Sequence, residues 1–398
     1  MRLESDTFSQ GERLATVLDH READRVPCFL AGMERSGSFW DEFMEREDEL
    51  LDTYTDDERN IVITPCGDYT VPVFFGADVV LHGSRVHEPP STWIDVRGQD
   101  IEHLDGGTVV NGVMTGLLLT YHGSINKVEV LPNGKAYTWH WGPHLRTPEM
   151  LVSWFDERGW PGDLPVDPYP ATIAATNSRF KDTVHVIPAY GPSTFTHLQT
   201  MLGVDRIYYF AKKSPDVLRR IIDSFMELQL RQVEQMRPLH PVAAFTHDDL
   251  GQKDRPLLSP RLFKTFFAPA RKRVNDAIHD LGARSILHSC GNVTELLPDL
   301  VAAGFDGWQT LEPASGIDHR AVKRRFGDQL SFWGAIDNNV LCFGTPRDVE
   351  AEVREKMLAM SPGGGYLAGP AHDYLNTRVD NAIALRDAVI AHGRYKAP

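Results

Sequence analysis

Two soft metal ligands stand two residues apart at the end of a short apolar run, in Ala283-Arg-Ser-Ile-Leu-His-Ser-Cys-Gly-Asn292. Ser285-Ile-Leu has the composition of a buried strand, and a strand sends residues i and i+2 to the same face, so His288 and Cys290 point the same way. Imidazole and thiolate both suit zinc, a borderline-soft ion. A zinc site needs three protein ligands, and this stretch supplies two. His372, in Gly369-Pro-Ala-His, is the best-placed third, while Asp248, Asp249 or Glu312 can offer an oxygen instead. Cys342, just before the helix start Gly344-Thr-Pro, is expected to pack under its loop. Cysteine bound to zinc loses its proton, and the ion can in turn lower the pKa of a substrate thiol or water.

Other polar residues also follow apolar runs: Tyr190, His247-Asp248-Asp249, Gln309 and Glu312, Asp337, then His372-Asp373. Close carboxylates push one pKa upward, which suits Asp248, Asp249 and Glu312 to proton transfer or to holding a polar group. Adjacent strand residues face opposite ways, so one aspartate of the pair faces the site and the other caps the loop. Tyr190, Trp308, Gln309 and Asp337 are expected to line a substrate pocket. A cap or loop hydrogen bond accounts for Asp337 or Asp373 taken singly; it does not account for all six clusters.

The elements that must position these groups alternate. Apolar runs at Val184-His-Val-Ile, Val242-Ala-Ala-Phe, Ser285-Ile-Leu, Phe305-Asp-Gly-Trp, Leu330-Ser-Phe-Trp and Gly365-Tyr-Leu-Ala are separated by stretches with helical spacing of apolar residues. With earlier strands near Val26 to Leu30 and Asn60 to Ile63, the count approaches eight. This predicts an α/β fold, a TIM-type (β/α)8 barrel, whose active site gathers at the carboxyl ends of its strands. An open doubly wound sheet is the alternative, weakened because no G-x-G-x-x-G or Walker loop follows any strand.

A helix is expected from about residue 7 to 20, capped by Thr7 or Ser9. Between Asp95 and Trp141 β-type segments replace helical ones, and Asn133-Gly134 is a strong hairpin signal, predicting a small N-terminal β-hairpin insertion. Trp139 and Trp141 share one face of it and are expected to pack on the main domain. The Pro/Gly-rich stretch from Trp160 divides residues 1–160 (N-terminal helices, first barrel elements and insertion) from 161–398 (the remainder of the barrel).

A net charge of −14 argues against nucleic acid as partner, since nucleic-acid binding needs a basic footprint. No signal peptide or membrane-length apolar run is present, and the four widely spaced cysteines suit a reducing compartment, so a cytoplasmic protein acting on a small molecule is expected.

A set of motifs runs through most of the chain: Arg21-Glu-Ala-Asp-Arg-Val-Pro, His247-Asp-Asp-Leu-Gly, Leu287-His-Ser-Cys-Gly-Asn-Val, Gly304-Phe-Asp-Gly-Trp, Phe332-Trp-Gly-Ala-Ile-Asp, Gly344-Thr-Pro, Pro362-Gly-Gly-Gly-Tyr and Asp380-Asn. Together they resemble the uroporphyrinogen decarboxylase superfamily, which includes zinc-dependent, cobalamin-linked methyltransferases. The decarboxylase branch is the poorer match, because its arginine-rich amino-terminal segment is replaced by Phe29-Leu-Ala-Gly-Met-Glu-Arg-Ser-Gly. The methyltransferase resemblance implies zinc on His288 and Cys290. It also implies a corrinoid or tetrahydrofolate methyl carrier, a corrinoid protein as partner and a homodimer. Where those relatives carry a distant third cysteine, this chain reads Leu367-Ala-Gly-Pro-Ala-His, so His372 substitutes or the metal is absent. The alternatives are a metal-free decarboxylase or lyase, whose aspartate stabilises a protonated intermediate, and a non-catalytic binding protein on the same barrel.

Overall fold

The computed structural model describes residues 3, 5–30, 37–64, 67–97, 100–103, 108–110, 113–130, 136–169, 171–374 and 376–395. Its centre is a seven-stranded parallel sheet: Val79–Gly83 (β2), His185–Tyr190 (β3), Ala243–His247 (β4), Arg284–His288 (β5), Gly307–Thr310 (β6), Ser331–Ile336 (β7) and Tyr366–Pro370 (β8), adjacent in that order. Cys28–Phe29 (β1) joins the two edges, Phe29 bridging to Val79 and Cys28 to Ala368, both parallel. The sheet therefore curls into an eight-stave barrel. Closure abolishes the exposed edges that an open sheet would carry.

That seam is tightly specified. Phe29 N donates to Ala368 O at 2.9 Å, and Asp78 N to Cys28 O at 2.9 Å. The Asp78 carboxylate also accepts from Cys28 N (2.8 Å) and pairs with Arg25 (2.6 Å), both side chains being buried. Gly369 lies so close to the Phe29 carbonyl oxygen that a Cβ there would collide with it. The expected strand near Asn60 to Ile63 is not a stave: Ile63–Thr64 pairs with Gly67–Asp68 in a separate two-stranded hairpin, and Val79–Gly83 is the second stave.

Strand alternation divides the core. One set of residues fills the barrel, with Phe29, Val79, Ile187, Phe245, Ile286, Trp333 and Leu367 packed together; the helix Gln10–Leu18 (α1) closes the amino-terminal end with Leu14, Val17 and Leu18. Ser9 caps α1 in a reciprocal arrangement with Glu12, satisfying two backbone donors. The complementary set packs outward against the helices.

Between β2 and β3, at the carboxyl end of the barrel, the chain makes an antiparallel sheet of six strands from Thr92 to Pro143. The expected hairpin is its last pair, Ser124–Val130 with Ala136–Pro143, and the insertion is larger than foreseen. The Asn133-Gly134 turn lies outside the described residues. Trp139 and Trp141 are 39% and 58% exposed rather than packed on the barrel, because the final strand is an edge. Two staves thus come from before residue 160 and six from after it. No helix among the described residues is long and apolar enough to cross a membrane.

Candidate active site

Parallel register sets three side chains in one row. His247 pairs with His288 across β4 and β5, and His288 with Gln309 across β5 and β6. Paired residues of neighbouring strands project to the same face, so all three point inward at the carboxyl end. Beneath them Phe29, Phe245 and Trp333 form a mutually packed aromatic floor, with ring centroids 5.1 to 6.0 Å apart. Phe245 also faces the His288 ring at 6.4 Å.

Asp249 links the row. One carboxylate oxygen lies 3.0 Å from His247 Nε2; the other accepts from the Cys290 amide at 2.9 Å and lies 3.5 Å from His288 Nε2. Cys290 Sγ is 3.4 Å from that same Nε2. On the far side of the ring, Nδ1 of His288 contacts Oε1 of the wholly buried Gln309. An amide oxygen can only accept, so Nδ1 carries the proton and Nε2 presents its lone pair to Asp249 and Cys290. The loops bearing Cys290 and Asp249 cross at Gly251 and Gly291, where any side chain would run into the backbone of the other loop; Gly291 also needs its φ of +73°.

The electrostatics follow from this crowding. Burial opposes ionisation of Asp249, but the hydrogen bond and charge of the His247 imidazole, first among its neighbours, outweigh it and hold the carboxyl far below its usual range. Burial also disfavours charge on His247, and Asp249 overrides it, raising that imidazole. Burial, then the carboxylates of Asp249 and Glu312, push the Cys290 thiol well up. The cluster concentrates negative charge around a thiol and is the kind of environment that a cation relieves.

Ligand atoms of His247, Asp249 and His288 all lie within 4.8 Å of one another, the grouping of this kind among the described residues. A tetrahedral zinc ion with bonds of about 2.0 Å to nitrogen or oxygen and about 2.3 Å to sulfur separates its ligands by roughly 3.3 to 3.5 Å. Cys290 stands outside the grouping of His247, Asp249 and His288, but its Sγ is 3.4 Å from His288 Nε2, and with the 3.5 Å from Asp249 Oδ1 to the same atom it matches those edges, so His288, Cys290 and Asp249 fit the ion.

Several expected site residues lie elsewhere. Asp248 is buried on the outer side of the barrel: it accepts from Phe195 N (3.2 Å) and Thr196 N (2.9 Å) at the start of the helix Thr194–Leu202 (α2), and pairs with Arg271. It fixes a helix and has no catalytic placement. Tyr190 pairs with Thr246, and Trp308 with Leu287 and Phe332, so strand alternation turns both outward into the helical layer. Trp308 spends its indole N–H on Ser289 O at 3.1 Å. Asp337 caps the helix Asn338–Phe343 (α3), accepting from Asn339 N at 2.8 Å. His372 stands outside the metal-ligand grouping, its Nδ1 accepting from Asp373 N at 2.8 Å. Glu312 is half-buried, takes a hydrogen bond from Ser315 Oγ (2.9 Å), and acts on Cys290 through its charge. Gln309 reaches the site as the partner of His288. His247 belongs to the site although its motif alone assigns it no role; its parity with Phe245 is the signal that turns it inward.

Residues 158–392 match the uroporphyrinogen decarboxylase (URO-D) family. The chain belongs to that family. The matched region holds β3 to β8 and every residue of the cluster. Among curated proteins, the URO-D chain is 23% identical over 218 residues to the methylated-thiol coenzyme M methyltransferase of Methanosarcina mazei, a match covering 54% of this chain and 56% of that protein. The match thus spans about half of the relative's length. Among solved structures, a methyltransferase from Methanosarcina mazei superposes with a TM-score of 0.56 at 16% identity, covering 96% of this chain and 99% of the other, which supports the barrel fold of this URO-D protein.

Proposed function

We propose that this URO-D protein is a zinc-dependent methyltransferase that moves a methyl group between a small methylated compound, a corrinoid protein and a thiol or folate acceptor. The observation that carries the reading is the convergence of His288 Nε2, Cys290 Sγ and an Asp249 oxygen at the barrel mouth, with the spacing of metal ligands. The curated relative, which acts on methylated thiols, supports the reaction class. Bound there, zinc would serve as the Lewis acid that makes a thiol nucleophilic near neutral pH.

The protein's own groups have separable tasks. Gln309 holds the His288 tautomer through Nδ1. Asp249 orients Cys290 through its backbone amide. His247, raised and adjacent to Asp249, can take the proton released when a substrate thiol ionises. Phe29, Phe245 and Trp333 close the barrel below and keep water from entering on that side.

A metal-free decarboxylase is favoured by one observation: Asp249 is an ionised carboxylate poised to stabilise a cationic intermediate. Metal analysis of protein purified without chelator separates the two. The methyltransferase reading expects about one equivalent of zinc, lost in His288→Ala and Cys290→Ser. Metal-free protein that still turns over at the full rate would refute it.

A further inference from the structure

The last strand of the barrel offers the mouth no metal ligand. On β8 the inward residues are Leu367, packed in the barrel floor, and Gly369, whose Cβ position is filled by the Phe29 carbonyl at the seam. A thiol or any other side chain at 369 would break the closure of β8 onto β1. The next candidate along that segment, His372, accepts the Asp373 amide on Nδ1 and lies outside the grouping of His247, Asp249 and His288.

Resting on the zinc reading above, we propose that Asp249, just after β4, supplies the ligand that β8 cannot, and that His247 holds its second carboxylate oxygen (3.0 Å). The metal set is then His288 and Cys290 with Asp249, three ligands that leave the fourth position of a tetrahedral ion to the substrate thiol. Asp249 Oδ1 is 3.5 Å from His288 Nε2, longer than the roughly 2.9 Å typical of a nitrogen–oxygen hydrogen bond and close to a tetrahedral ligand edge. Its carboxylate is already aimed by the Cys290 amide, so the two ligands move as one unit. The exchange preserves charge, since one carboxylate and one thiolate neutralise a divalent zinc as two thiolates do. It changes hardness: oxygen donates less electron density than sulfur, leaving the ion more positive toward a substrate thiolate and more tolerant of cobalt.

The test is zinc affinity, measured by competition with a chromophoric chelator on the full chain, for wild type, Asp249→Asn, His247→Gln and His372→Ala. Asn keeps the shape and an acceptor for the Cys290 amide, and circular dichroism verifies the fold of each variant. The proposal expects Asp249→Asn to weaken zinc by about 100-fold or more, His247→Gln by about tenfold or more, and His372→Ala by less than about twofold. Cobalt-loaded protein should show a single thiolate charge-transfer contribution that vanishes in Cys290→Ser. Wild-type affinity in Asp249→Asn, or loss of zinc in His372→Ala, would overturn the assignment while leaving the zinc reading intact. A wild-type protein that binds no zinc would overturn both.

Discussion

Replacing Gln309 by leucine isolates the contact that sets the His288 tautomer. The side chain is wholly buried, its Oε1 accepts from His288 Nδ1, and its Nε2 has no hydrogen-bond partner among the described residues. Leucine is of similar bulk, so the amide nitrogen loses nothing and the cost falls on Nδ1. One outcome leaves a buried N–H without an acceptor, at about 1 to 3 kcal/mol. The other moves the proton to Nε2, where it points at Asp249 and removes the lone pair a metal needs. Either way the penalty weighs on the metal-bound state. Loss of such a supporting contact lowers metal affinity by about 10- to 100-fold, or roughly 1.4 to 2.7 kcal/mol. Chelator competition should show this drop in Gln309→Leu, with recovery in Gln309→Glu, which restores an acceptor. A Gln309→Leu affinity within about twofold of wild type would refute the tautomer argument.

Three further outcomes concern the scaffold. Asp248→Asn leaves the buried Arg271 guanidinium without its counter-charge and should cost about 3 to 5 kcal/mol in urea unfolding, while folded protein keeps its metal. Gly251→Ala sets a methyl against the Cys290 carbonyl; it should destabilise by about 1 to 3 kcal/mol and weaken zinc binding, both measurable on one sample. His185 is pushed down to about 4 by burial, against about 6.5 in the unfolded chain, so the unfolded state binds the extra proton between those values. Stability is therefore full above pH 6.5 and is lost as pH falls toward 4, by about 2 to 3 kcal/mol for this group. His185→Gln should flatten that part of the urea-midpoint profile, and equal slopes in the two proteins would contradict the assignment.

The barrel was legible because six apolar runs separated by helices repeat along the chain and leave one economical topology. Its second stave was not, since Val79-Val-Leu-His-Gly is short and sits between an acidic helical region and the insertion. His288 and Cys290 could be read from spacing alone. Their neighbours required parity: Trp308 and Gln309 are adjacent in sequence, and only the register with Leu287 and His288 shows that the indole faces the helices and the amide faces the site. The same rule separates Asp248 from Asp249, with the α2 amide groups and Arg271 drawing the first outward. His372 was placed by analogy with a strand end, whereas the chain has already turned away and its backbone N–H is held by Asn338 (2.8 Å). Gly369 carries no signal of its own in the sequence. Its reason is the closure of β8 on Phe29, visible only once the two ends of the sheet meet.

The central claim, zinc-dependent methyl transfer at this mouth, is tested most directly by turnover with free methylcobalamin as donor and a small thiol as acceptor. The thioether product is followed by mass, and the cobalamin by its absorbance. The account predicts thiol methylation that is abolished by chelator, restored by added zinc and absent in Cys290→Ser. Methylation that proceeds at the same rate in chelator-stripped protein, or release of carbon dioxide from a carboxylated substrate with no methyl transfer, would contradict it.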